Sequence, residues 1–267
     1  MRKSLSFFAA LSLAAAVPLC RAATAGDVNP QEIIQRFAAK ESEFLRAREQ
    51  YTYRQTVKLY ELDLDGNPTD GKYEMVEDVI FDKDGKRTER VVKAPPNTLK
   101  NLTLTPEDEN DLRNIQPFVL NSESVAKYDI NYLGKQQVDE IPCFAFAVKP
   151  KQLVKGQRYF EGQIWVDDRD LQIVKTYGRG VGLRKKGDDN QFPKFETYRQ
   201  QIDGKYWFPT FTIANDTLQF QHGPQRIKMV VRYDDYKRFK SDVNIQFGDE
   251  VTTGEKPDTT PQPQKPR

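Results

Sequence analysis

YFEGQIWVDDRDLQIVKTY, residues Tyr159 to Tyr177, decides the fold: two stretches of alternating apolar residues meet at the charged turn Asp167-Asp168-Arg169-Asp170. Ile164 and Val166 share one face before the turn, and Leu171 and Ile173 alternate after it. A second hairpin of the same style, FETYRQQIDGKYWFPTFTI, runs from Phe195 to Ile213 and turns at Asp203-Gly204. Neither hairpin contains a nucleophile, a metal-ligand set or a phosphate loop. They read as parts of a sheet built to hold something, with no reaction chemistry of their own.

The period of two continues on either side. Phe144, Phe146 and Val148 alternate before the hairpins, and Ile227, Met229, Val231 and Tyr233 form one face of RIKMVVRYDDY after them. Upstream, Tyr51, Tyr53, Val57 and Leu59 share a face, as do Tyr73, Met75, Val79 and Phe81 in the next strand. The connection from Asp63 to Gly71 is turn-rich, and Asp82-Lys83-Asp84-Gly85 leads into a third strand that ends at Ala94-Pro95-Pro96. Strands joined by such short loops predict an antiparallel meander.

Two segments break the pattern. Asn29 as N-cap, Pro30 at the first helical position and Glu32 two residues on predict a helix, with Ile33, Ile34, Phe37, Phe44 and Leu45 near one face. This helix packs on the sheet or closes over an apolar cavity. Thr105, Pro106 and the acidic run Glu107-Asp108-Glu109 start a second, short helix, which Pro117 limits.

Arg2 and Lys3, the apolar run Leu5 to Leu19 and the small residues Ala22, Ala23 and Ala25 read as a secretory signal peptide cleaved after Ala22 or Ala25. The apolar run is too short for a membrane span. Cys20 stands where a lipid-anchoring cysteine sits, but Pro18 and Leu19 precede it where a lipobox needs small residues, so no anchor is expected. From Asp249 onward Thr, Pro, Gln, Lys and Glu dominate, the composition of a disordered tail. The expected organisation is a signal peptide over 1–25, one domain over 26–248 and a tail over 249–267, with export to the periplasm or beyond.

The whole chain has 267 residues, with 41 basic against 39 acidic. Loss of Arg2, Lys3 and Arg21 leaves 38 basic residues and a net charge near −1. Charges of both signs are interspersed, which argues against nucleic acid as a partner. About 245 residues remain, enough for a sizeable core. Cys143 is the single cysteine in that mature stretch; it lies in the apolar strand IPCFAFAV and reads as a packed small hydrophobe.

Several motifs fall short of chemistry. Asp63, Asp65, Asn67 and Glu74 match an EF-hand register, yet Pro68 takes the place of its glycine and strands flank the loop. Gly178, Gly180 and Gly182 lack the following helix that a phosphate loop needs, and read as a flexible connection into Arg184-Lys185-Lys186-Gly187-Asp188. His222, the lone histidine, reads as a surface-loop residue, with no nucleophile-elbow sequence to make it part of a triad. Metal and cofactor sites are not expected. Carboxylates are plentiful, but they sit in turns and on polar strand faces, so a carboxylate-dependent hydrolase stands as a third reading behind two binding functions. The aromatics crowding the second half, among them Trp165, Phe195, Trp207 and Phe211, read mainly as core.

The signal peptide, amphipathic first helix, interrupted meander and the run FEGQIWVDDRDLQIVKTYG together resemble the outer-membrane lipoprotein-sorting, LolA/LolB-like superfamily. Gly162-Gln163-Ile164-Trp165-Val166-Asp167 with Ile173-Val174-Lys175 carries most of that resemblance, supported by Phe195-Glu196-Thr197-Tyr198 and Trp207-Phe208-Pro209. The resemblance implies a mainly β (α+β) fold: an incomplete antiparallel β-barrel of about ten strands with an N-terminal helix and a short helical insertion packed against it. It also implies a non-catalytic protein that holds an acyl chain or lipoprotein lipid anchor in an apolar cavity. Strand alternation offers Phe144, Phe146, Ile164, Val166, Ile173, Met229 and Val231 as cavity-lining residues, each equally suited to an ordinary core. The alternative is an envelope interaction or sensor module whose core is filled and which meets a protein partner through an edge strand or the tail.

Overall fold

The computed structural model describes residues 29–82, 86–183, 192–221 and 223–238. The stretches expected to be a signal peptide and a tail, together with Lys83 to Gly85, the basic loop at Arg184 and His222, lie outside the described residues. Helix α1 spans Pro30–Arg48 and starts as its sequence requires: the Asn29 side chain accepts the backbone N–H groups of Gln31 and Glu32. Ten strands follow among the described residues: β1 (Tyr51–Leu62), β2 (Pro68–Phe81), β3 (Arg87–Lys93), β4 (Tyr128–Val138), β5 (Ile141–Pro150), β6 (Tyr159–Asp167), β7 (Ile173–Val181), β8 (Phe195–Ile202), β9 (Tyr206–Phe220) and β10 (Gly223–Arg238).

These strands form one antiparallel sheet in the order β3-β2-β1-β10-β9-β8-β7-β6-β5-β4. Every neighbour but one is a sequential hairpin. The exception is β1 against β10, paired from Tyr51↔Arg238 to Leu62↔Arg226, which sets the first and last strands side by side in the middle. The sheet is open: β3 and β4 are its outer strands, and they do not pair with each other. The closed form of a barrel is therefore absent, because residues 94–127, which carry the chain from β3 to β4, lie across one face of the sheet instead of joining two adjacent strands.

The hairpin turns follow local chemistry. Asp203 and Gly204 both take positive φ (53° and 65°), the backbone of a type I′ turn, whose twist matches the strands it joins. At the β6–β7 turn, Asp167 Oδ1 accepts the N–H groups of both Arg169 and Asp170 at 2.7 Å. Leu171 differs from expectation. It has φ 53° and belongs to the turn, so the alternation of β7 begins at Ile173. In the β1–β2 loop, Asp63 Oδ1 is occupied by the N–H groups of Asp65 and Asn67, an ordinary polar turn.

The glycine-rich stretch corrects the sequence reading. Gly178 and Gly180 lie within β7, not in a flexible connection. Gly178 pairs with Gly162 on β6, and the ring of Phe160 covers both. A methyl group on Gly178 would fall 2.7 Å from that ring and closer still to the Glu161 carbonyl oxygen. Gly178→Ala is therefore expected to destabilise the fold by about 1–3 kcal/mol, an overpacking cost measurable as a lower urea midpoint.

The same face of the sheet carries both covering elements. Helix α1 sets Phe37 against Phe146 of β5 (ring centroids 5.5 Å apart) and Phe44 against Phe208 of β9 (5.1 Å). The crossing segment contributes Leu112, Ile115, Phe118 and Leu120 to the core, with Phe118 stacked on Phe160 at 4.5 Å. Its short helix α2 (Pro106–Asn110) is opened by a capping box between Thr105 and Asp108 and runs into a π-helical turn, Asp111–Ile115. No described helix is long and apolar enough to cross a membrane.

Candidate functional site

Between the crossing segment and the middle of the sheet lies a cavity of about 300 Å³, partly open to solvent. Its floor is strand residues: Leu59 of β1, Ile227 and Met229 of β10, Leu218 and Phe220 of β9 and Phe195 of β8. Leu59 and Met229 face each other directly in the ladder. Its roof is Leu102, Leu104 and Leu112 of the crossing segment, with Phe192 and Pro193 at one side. Alternation puts the floor side chains on the covered face of their strands. The roof exists only because residues 94–127 return over that face.

One carboxylate holds the roof in place. Glu61 of β1 is 1% exposed, and its Oε1 accepts the backbone N–H groups of Lys100, Asn101 and Leu102 at 3.0, 2.7 and 3.0 Å. Three charge-assisted bonds from consecutive amides fix a stretch that belongs to no helix or strand. Glu61→Leu is expected to speed hydrogen exchange of those three amides by about tenfold or more while β1–β10 protection persists.

A polar patch interrupts the apolar wall. Asp111 at the π turn receives Arg158 at 3.0 and 2.5 Å, and Asp108 accepts from the Thr105 backbone and hydroxyl at 2.8 and 2.7 Å. Burial pushes both carboxyls above the usual range; Arg158 pulls Asp111 back, and the Thr105 bonds do the same for Asp108. Gly180 leaves room for this patch, since a methyl group there would collide with the Asp111 carboxylate and lie 2.6 Å from Arg158 Nη2. Gln116, just past the π turn, also lines the cavity.

A buried ion pair ties both covers to the sheet beside the core. Glu41 of α1 is 0% exposed and takes Arg199 Nη1 at 3.1 Å and the Ile173 N–H at 3.2 Å. Arg199 of β8 also donates to the Phe118 carbonyl in the crossing segment and lies over the Phe44 ring. Burial raises the Glu41 carboxyl, and Arg199 opposes that rise. One guanidinium thus holds the helix and the crossing segment together.

All seven residues offered by alternation are buried in the main core: Phe144, Phe146, Ile164, Val166, Ile173, Met229 and Val231. Met229 also lines the cavity; the other six do not. Glu41 and Arg199 escaped the sequence reading, although both obey its periodicities. Glu41 falls four residues after Phe37 and three before Phe44, on the apolar stripe, and Arg199 continues the inward face of Phe195 and Thr197. Leu102, Leu104 and Gln116 had no such signal, because the segment that carries them has no period.

The arrangement defines a class: an open antiparallel sheet with one face roofed by a helix and a crossing strap, enclosing an apolar cavity. No protein-family model matches the chain, and no curated protein matches it in sequence. Among solved structures it is similar to a DUF1329 family protein from Desulfovibrio piger (16% identity, 82% of this chain and 96% of that one, TM-score 0.46). It is also similar to a putative outer membrane lipoprotein-sorting protein domain from Vibrio parahaemolyticus (13%, 81% and 96%, TM-score 0.41). A LolA superfamily protein from Nitrosomonas europaea follows (13%, 80% and 94%, TM-score 0.35). Likeness at this level carries no residue roles across.

Proposed function

We propose that this chain is an exported, non-catalytic binding protein that holds an acyl chain, such as the lipid anchor of a lipoprotein, between its sheet and its crossing segment. The observation that carries this reading is the apolar cavity of about 300 Å³. An engineered cavity of roughly 150 Å³ takes benzene, so twice that volume suits one chain of about twelve carbons rather than several. The volume also falls at the lower end of small-ligand pockets, roughly 300–1,000 Å³. Each methylene withdrawn from water contributes about 0.8 kcal/mol, which makes uptake favourable without covalent chemistry. The two carboxylates at the cavity are committed elsewhere, Asp111 to Arg158 and Asp108 to its capping box, which supports a binding role over hydrolysis. Such a protein would serve lipoprotein sorting in the envelope.

Native mass spectrometry of gently purified protein tests the reading. A bound mass matching a single chain, or stoichiometric uptake of added fatty-acyl lipid, is the expected result; a clean apo mass with no uptake would sink it. One observation favours a second reading as an envelope interaction module. The outer strand β3 exposes Val91 and Val92, 57% and 47% accessible, an edge suited to strand addition by a protein partner. Crosslinking from envelope extract, with and without Val91→Lys, would show a partner that depends on this edge.

A further inference from the structure

A second cleft, of about 370 Å³, lies toward the other end of the sheet from the cavity. Tyr51, the first residue of β1, lines it, whereas Leu59 of the same strand floors the cavity. The extended chain between those two residues spans about 26 Å, and the two sites share no residue. Parts of the fold distant in sequence meet at the cleft: the end of α1 with Gln50 behind it, the start of β1, the β8–β9 turn and the end of β10.

Three cations from three of these elements line it: Arg46 of α1, Lys205 of the turn and Arg238 of β10. None of them forms an ion pair with a described carboxylate. Arg46 by itself would read as the basic residue that suits a helix C-terminus, but that account does not reach Lys205 or Arg238. The acceptors beside them are partly taken. Lys40 occupies Glu43 Oε2 at 3.0 Å, the Tyr51 hydroxyl occupies Asp203 Oδ2 at 2.8 Å, and Arg238 Nη2 occupies Gln50 Oε1 at 2.8 Å. Burial and the Asp203 bond push the Tyr51 hydroxyl up to about 12, so it stays a neutral donor. The Lys205 ammonium lies 5.0 Å from the centre of the Tyr206 ring. The wall therefore has donors to spare in the Arg46 guanidinium, the Lys205 ammonium, the Gln50 amide nitrogen and the rest of Arg238.

We propose that this cleft binds a phosphate monoester carried on a small polyol. The phosphate oxygens accept from Arg46, Lys205 and Arg238, a set that suits a dianion; a carboxylate would be satisfied by one guanidinium fork. The cleft is far larger than a bare phosphate, and its other groups fit hydroxyls. The remaining oxygens of Glu43 and Asp203 accept O–H groups, and the Tyr206 ring offers a face for carbon. An unphosphorylated sugar would leave the cations unpaired, and a bare anion would leave those carboxylate oxygens unmet. The assignment is independent of the acyl-chain reading.

The test is isothermal titration of the full chain with glycerol 3-phosphate, glucose 6-phosphate, inorganic phosphate and glucose, beside sedimentation with phosphatidylcholine vesicles with and without phosphatidate. At least one phosphate monoester is expected to bind about fivefold or more tighter than inorganic phosphate, with glucose weakest. Preference for a soluble ester indicates a solute, and retention on phosphatidate vesicles a lipid headgroup with the same chemistry; either supports the proposal. Arg46→Gln and Lys205→Gln are each expected to weaken the preferred ester about tenfold, the range of a charge-assisted hydrogen bond. Both side chains are exposed, so the melting temperature of each variant should stay within a few degrees of the parent. Failure of every phosphorylated compound to bind, inorganic phosphate or glucose binding as tightly as the esters, or ester affinity that survives both substitutions overturns the proposal. None of these results touches the acyl-chain reading, which the mass of a bound chain decides separately.

Discussion

Arg199→Met lowers the unfolding free energy by about 3–5 kcal/mol, the cost of leaving a buried carboxylate without its partner. Glu41 is 0% exposed and Arg199 is 4% exposed, so neither can turn to water when the other is removed. The loss also frees the Phe118 carbonyl that Arg199 caps, and with it one attachment of the crossing segment. Urea unfolding followed by circular dichroism measures the effect; a loss under about 1 kcal/mol would show that the pair is dispensable. Replacing both partners by Met removes the stranded charge together with its partner, and most of the stability is expected to return. The pair thus contributes less as a net attraction than as a constraint on where α1 and the crossing segment dock.

The second large effect concerns binding. Leu104→Trp is expected to weaken uptake of a fatty-acyl probe at least tenfold, because the indole occupies volume that the chain needs in a cavity of about 300 Å³. Leu104 sits on the roof and is only partly buried, so the larger side chain can be taken up without forcing strands apart. The melting temperature should therefore stay within a few degrees of the parent. Unchanged affinity in a folded Leu104→Trp variant would place the chain elsewhere. Loss of affinity together with loss of fold would point to packing, and the milder Leu104→Phe would then separate the two.

Much of the scaffold was legible along the chain. Asn29-Pro30 starts α1, and Thr105-Pro106 with Asp108 starts α2, because caps act within three residues. Alternation found the strands, since a sheet with one covered face demands it. The motif at Gly178 was misread because glycine punctuates loops and also makes room for a neighbour, and the local sequence does not say which. Here the Phe160 ring, on the neighbouring strand β6, settled the matter. Residues 94–127 were the least readable, since their packing depends on a sheet that forms from the rest of the chain.

The stretch Tyr159 to Tyr177 shows where the division falls. By itself it determines a hairpin: alternation sets the faces, and Asp167 bonds its own turn, all through contacts between near neighbours. Which face is covered, and by what, was decided only by tertiary structure. Glu41 reaches the N–H of Ile173 across 132 positions and Arg199 across 158, and β1 finds β10 from opposite ends of the described chain. Pairings over such distances leave no periodic trace, because each partner reads locally as one more residue on an inward face. The cavity follows from those pairings. Local chemistry therefore determined a sheet able to cover something, and long-range packing decided that a space remained beneath the roof.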